Sequence, residues 1–138
     1  MNFEEIAKNL PALFGALLLS VLFIQSGLDK VFDWQGNLSY LTEHFQKTFM
    51  APLVPVLTAT ITFLELAAGI VLAAGIIYFF VSGKTTVIFA GAAIAAAAIV
   101  ALFAGQRIAK DYPGAAILVP YLILVLAVLW LSDPWLLR

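Results

Sequence analysis

Ionised side chains interrupt this chain at only a few places, and the stretches between them are long and apolar. A charge at bilayer depth costs free energy, so such residues collect at span ends and the gaps between them mark membrane helices. The first gap, from Lys8 to Asp29, predicts a span over about residues 10–28, with Pro11 in the helix-starting position that its fixed φ favours. From Thr48 to Gly83 the lone charge is Glu65. One helix of that length would measure about 54 Å, against roughly 30 Å of hydrocarbon. Pro52 and Pro55 therefore break it, leaving residues 49–54 as an interfacial approach and residues 55–80 as a long, tilted second span. Ser82-Gly83-Lys84 predicts a tight turn, with Thr85 or Thr86 capping a third span over residues 87–105. That span is rich in Ala and Gly, which let helix backbones approach where lipid gives no hydrophobic drive, so it is expected to be the central, least lipid-exposed helix. A fourth span covers residues 113–131, and Pro120 inside it predicts a kink.

Between the first two spans, Leu38, Leu41, Phe45 and Phe49 recur at helical spacing while Thr42, Glu43, Gln46 and Lys47 face the other way. That is the pattern of an amphipathic helix lying in the membrane interface. The predicted fold is all-α: a four-transmembrane-helix bundle with an interfacial helix between spans one and two, forming a single integral membrane domain over residues 1–138. The first span could pass for a signal peptide, but Glu4 and Glu5 make its leading region acidic and no small-x-small cleavage site is evident. It is expected to be retained.

Composition narrows the function classes. Of 138 residues 64 % are hydrophobic, against the roughly 45–50 % of a soluble domain, and the mean hydropathy is +1.07. Seven basic residues against eight acidic ones provide no positive field for nucleic acid and no polybasic lipid-binding cluster. Without cysteine there is no disulfide, thiol relay, iron–sulfur cluster or zinc-thiolate site. A single histidine, His44, cannot ligate a haem from both sides, and a lone histidine without cysteine assembles no hydrolytic triad. Any redox role therefore rests on a partner or a diffusible cofactor. Lys8, Lys84 and Arg138 share one membrane face and Lys30, Lys47, Arg107 and Lys110 the other, so the positive-inside rule leaves orientation undecided.

Side-chain chemistry concentrates at one end, where the first and third connections carry Asp29, Lys30, Asp33, Glu43, His44, Gln106, Arg107, Lys110 and Asp111. Two polar stripes descend from that rim. Gln25, Asp29 and Asp33 are i+4 neighbours on span one, while Thr58, Thr62, Glu65 and Gly69 follow 4, 3, 4 spacing on span two. Glu65 lies roughly 15 Å below Pro55, near the bilayer midplane. A carboxylate there costs on the order of 2.5–3.5 kcal/mol unless paired, hydrated or protonated. It is expected to face the bundle, either as a proton-carrying or ligand-binding group at the foot of a cleft, or as a neutral acid that holds packing register. Arg107 and Lys110 beside Asp29 and Asp33 read as a rim network for an anionic or quinone-like head group, or as interfacial anchors that snorkel. Trp34, Tyr40, Tyr112, Trp130 and Trp135 suit an aromatic belt.

Three segments carry a family likeness: Gly27-Leu28-Asp29-Lys30-Val31-Phe32-Asp33-Trp34 closing span one, Glu65 followed by Gly69 in span two, and Gly105-Gln106-Arg107-Ile108-Ala109-Lys110-Asp111-Tyr112 leading into span four. In order, spacing and position the chain resembles the DoxX family of small four-span bacterial membrane proteins, and is similar to a short form associated with Bacteroidetes-type bacteria. The resemblance implies a place in membrane redox or oxidative-stress complexes, often beside a separate soluble catalytic partner, and a link to quinone-dependent chemistry. It carries a head-group site onto Asp29, Lys30, Asp33, Glu65, Gln106, Arg107 and Lys110.

The expected function is thus that of a bacterial inner-membrane accessory subunit, not catalytic by itself, that contacts membrane lipid and other membrane or peripheral subunits. It would bind a quinone or other amphiphile at the first-loop rim through Glu65, Gln25, Asp29, Lys30, Asp33, Thr58, Thr62, Gln106, Arg107 and Lys110. No metal ligand set is expected. The alternative is a non-catalytic scaffold that stabilises a larger complex through small-residue faces, Ala12, Ala16 and Ser20 on span one and Gly91 and Ala95 on span three. A proton-coupled carrier using Glu65 is weaker, because one four-span unit without inverted repeats offers no alternating-access machinery.

Overall fold

The computed structural model describes residues 1–136; Arg138, counted above in the charge balance, lies outside them. Helix α1 spans Phe3–Phe32, α2 Trp34–His44, α3 Val54–Ser82, α4 Thr86–Ile108 and α5 Tyr112–Leu131, with a 3-10 turn at Ala51–Leu53 before α3. Helices α1, α3, α4 and α5 are each long and apolar enough to cross a membrane. α3 contains the segment expected as the second span, residues 55–80, and runs two residues beyond it to Ser82: Pro52 sits in the 3-10 turn, Pro55 in the first turn of α3, and Gly83 ends α3 with φ 73°.

Local chemistry moves two helix ends from where the pattern put them. α1 begins at Asn2, whose side chain accepts from the Glu5 N–H at 2.9 Å while the Glu5 carboxylate accepts from the Asn2 N–H at 3.1 Å. This capping box starts the helix well before Pro11, which therefore lies in its interior and not at its start. α2 stops at His44, so Phe49 falls beyond it. The Thr48 hydroxyl donates to the Phe45 carbonyl at 2.9 Å and accepts from the Met50 N–H at 3.2 Å, a turn that competes with further helix. α5 runs unbroken through Pro120.

Around the bundle α1 packs on α3, α3 on α4 and α4 on α5, and α5 closes back onto α1. Small side chains fill much of the interior: Ala12, Ala16, Ala68, Ala92, Ala95 and Ala98 are buried with Leu19, Phe23, Leu72 and Phe79. Large ones such as Phe14, Leu17, Phe63, Ile70, Ile77 and Ile123 point outward. This inverts the soluble arrangement, as expected where lipid solvates large apolar groups and association depends on close backbone contact. A Cβ on Gly75 would stand 2.7 Å from the Ile88 amide nitrogen, and one on Gly91 2.9 Å from that of Leu72, so α3 and α4 meet almost backbone to backbone.

Two expectations are corrected here. α4 is not the least exposed helix: 33 % of its apolar window is buried against 44 % for α1. Its close contacts occupy narrow Ala and Gly strips, and Ala90, Ala93, Ala97 and Val100 face out. Ala12, Ala16, Ser20, Gly91 and Ala95, the faces a scaffold would offer to a partner, are buried within the bundle.

The end of the bundle at the α3–α4 turn is closed by a cross-link. Thr85 holds the N-cap position of α4, but its hydroxyl makes no cap and donates instead to the Ser132 carbonyl at the end of α5, at 2.8 Å. Gly83 beside it is a purely conformational position, with nothing within 4 Å of a would-be Cβ. Gly83→Ala is therefore expected to lose about 1 kcal/mol through left-handed strain alone, and Gly83→Asn less, read as unfolding midpoints in detergent.

Candidate functional site

The stripe on α3 faces inward: Thr58, Thr62, Glu65 and Gly69 are all buried, and Glu65 lies about 16 Å along the helix from Val54. Gly69 sets the approach of α1, because a Cβ there would stand 2.8 Å from the Ile24 amide nitrogen and 3.2 Å from the Ser20 carbonyl. At this separation α1 delivers two polar groups to Glu65. The Ser26 hydroxyl donates to Glu65 Oε1 at 3.0 Å, and Lys30 Nζ lies 2.9 Å from Oε2. Lys30 also donates to the Ser26 hydroxyl oxygen at 3.0 Å and to the Ser26 carbonyl at 3.3 Å, closing a triangle. The approach of Lys30 to Oε2 falls outside hydrogen-bonding angles, so that oxygen has an ion-pair partner but no aligned donor. The Glu65 side chain is 3 % exposed and that of Lys30 16 %. An acid at this depth is held by a cation and a hydroxyl from the neighbouring helix, which offsets its transfer cost.

A cavity of about 170 Å³ adjoins the triangle between α3 and α4, beneath α2. Leu57, Ile61, Leu64, Ala101 and Leu102 wall it, Leu41, Phe45 and Met50 cover it, and Lys30, Thr58, Thr60 and Gln106 supply its polar groups. The cover is latched to the far wall. His44, at the end of α2, pairs its Nε2 with Gln106 Oε1 at 2.8 Å and lies 3.8 Å from an Asp111 carboxylate oxygen. Tyr40 stacks on the imidazole with ring centroids 5.5 Å apart. Asp111 also caps α5 by accepting from the Gly114 N–H at 3.0 Å. Two oxygens beside one ring nitrogen assign Nε2 as the protonated position in the neutral ring.

A family model described as DoxX matches residues 12–103, about two-thirds of the chain. The chain belongs to the DoxX family. The matched segment takes in the Gly27–Trp34 stretch and the Glu65/Gly69 pair and ends before Gly105. Neither curated proteins nor solved structures gave a significant match.

In this DoxX-family bundle the candidate residues divide into three groups. Glu65 and Lys30 meet directly, and Lys30, Thr58 and Gln106 line the cavity. Thr62 is buried, but its hydroxyl and that of Thr58 each donate at 2.7 Å to a carbonyl one turn back in α3, so both are hydrogen-bonded within their own helix. Gln25, Asp29, Asp33, Arg107 and Lys110 are exposed and stand outside the cavity lining. Gln25 and Asp29 border a shallow groove on another face of α1, with Ser20, Ile24 and Phe32. Arg107 lies over the Tyr112 ring, 4.4 Å from its centroid, and the rim network expected between these cations and Asp29 and Asp33 is not formed. Ser26, His44 and Asp111 were absent from the expected ligand set. Ser26 had a signal: it precedes Lys30 by one helical turn.

Proposed function

We propose that this DoxX-family membrane protein holds the head of an amphiphile, a quinone or a molecule of like build, in the cavity beneath α2, and serves as an accessory subunit of a redox-linked complex in the bacterial inner membrane. One observation carries the reading: an apolar chamber whose few polar groups, Lys30, Thr58, Thr60 and Gln106, come from three helices. Small-molecule sites have this composition, mostly apolar with a few placed polar groups. A cavity of about 150 Å³ accepts a benzene ring, so this one is of ring size. Thr60 and Ala101 are exposed on the lipid side of its wall, which gives an apolar tail a way out. Chemistry falls to the bound molecule or to a partner subunit, for which the exposed charges Asp29, Asp33, Arg107 and Lys110 offer a docking rim.

Native mass spectrometry of the gently extracted protein is expected to find a small amphiphile bound. Ala101→Phe, which fills the cavity from its lipid side, is expected to lower occupancy about tenfold, or about 1.4 kcal/mol of binding. A wild-type protein that carries a stoichiometric protein partner and no small molecule would instead favour the scaffold.

A further inference from the structure

We infer that the Lys30–Glu65 pair sets the charge class of the ligand: the cavity takes a head group bearing uncharged acceptor oxygens, such as a ketone, quinone or ester, and excludes carboxylates and phosphates. This rests on the reading of the cavity as an amphiphile site and adds its selectivity. Lys30 is the one ionised side chain in the lining, and an uncompensated ammonium in an apolar chamber would draw an anion. Glu65 prevents that. Its carboxylate stands 2.9 Å behind the ammonium, so the site carries no net charge, and an anionic head would bring a second negative charge beside a buried one.

The donors that remain point to acceptor chemistry. The Lys30 ammonium is engaged by the carbonyl and hydroxyl oxygens of Ser26 and by the Glu65 carboxylate at 2.9 Å, so it is largely satisfied from within the protein. With Gln106 Oε1 accepting from His44, the Gln106 amide NH₂ is left as a donor on the cavity wall. The Thr58 hydroxyl proton is engaged by the Val54 carbonyl. Arg107 and Lys110, the cations that would attract an anion, are exposed outside the chamber. Glu65 is thus a positioning and specificity residue that acts through Lys30 without lining the cavity itself.

The test compares two probes of equal chain length, a long-chain methyl ketone and a fatty carboxylate, binding to the full-length protein in detergent. The wild type is expected to prefer the ketone by roughly tenfold or more. Glu65→Gln leaves the ammonium uncompensated and is expected to move the preference at least about tenfold toward the carboxylate; Glu65→Asp is expected to restore the wild-type order. Should Glu65→Gln not fold, the uncharged double variant Lys30→Gln/Glu65→Gln is expected to keep excluding the carboxylate. If neither probe binds the wild type, or Ala101→Phe leaves both bound, the cavity reading itself fails. If both bind in the cavity and Glu65→Gln leaves their ratio unchanged, or the double variant favours the carboxylate, charge compensation is overturned and the cavity reading stands.

Discussion

Lys30→Met is expected to destabilise the folded bundle by about 3–5 kcal/mol, the usual consequence of leaving one member of a buried ion pair without its partner. The variant keeps the length and apolar stem of the side chain but strands the Glu65 carboxylate, 3 % exposed, with Ser26 as its only hydrogen-bond donor among the described residues. The double variant Lys30→Met/Glu65→Leu removes both charges and is expected to lie within about 1 kcal/mol of wild type, since well-packed apolar replacements of buried pairs are commonly neutral or stabilising. Reversible unfolding in mixed micelles, run as a double-mutant cycle, checks both arms. A Lys30→Met protein as stable as wild type would mean that the contact at 2.9 Å contributes nothing.

Gly75→Val is expected to lose about 3 kcal/mol, the upper end of the cost of overpacking a filled interior. Even the first carbon of the new side chain would stand 2.7 Å from the Ile88 amide nitrogen and 3.0 Å from its Cα, and a helix backbone cannot rotate aside as a side chain does. The α3–α4 contact must open, and with it the seats of Leu72 and Ile88, both fully buried. The same substitution at outward-facing Ala93 is the control, with an expected change within about 0.5 kcal/mol. Equal losses at the two positions would show that the close approach of α3 and α4 is not a principal source of cohesion.

The four spans and the inward stripe of α3 were legible because each depends on residues close in sequence. Charge gaps bracket the spans, and Thr58, Thr62, Glu65 and Gly69 repeat at the pitch of one helix face. The partner of Glu65 was legible only in part. Gln25–Asp29–Asp33 and Ser26–Lys30 differ by one residue, which on a helix is a rotation of about 100°, and polarity alone does not say which of the two turns inward. The buried stripe does: Ala16, Ser20, Phe23, Gly27 and Lys30 continue one another at 4, 3, 4, 3 spacing, and all but Lys30 are buried. The latch could not be read at all. His44 and Gln106 are 62 residues apart and meet only because α2 packs on α3 and α1 and brings its last residue to α4. Pro11 misled for a local reason, since the capping box had already started the helix.

The bond from Thr85 to the end of α5 gives the molecule two unlike ends. One is cross-linked by that bond, while at the other a chamber lies beneath α2, which rests on α3 and α1 and reaches α4 through the His44 imidazole. On the proposed reading of that chamber, a guest would reach it from one leaflet alone, and the direction in which the chain is threaded through the bilayer would decide which lipid pool supplies it.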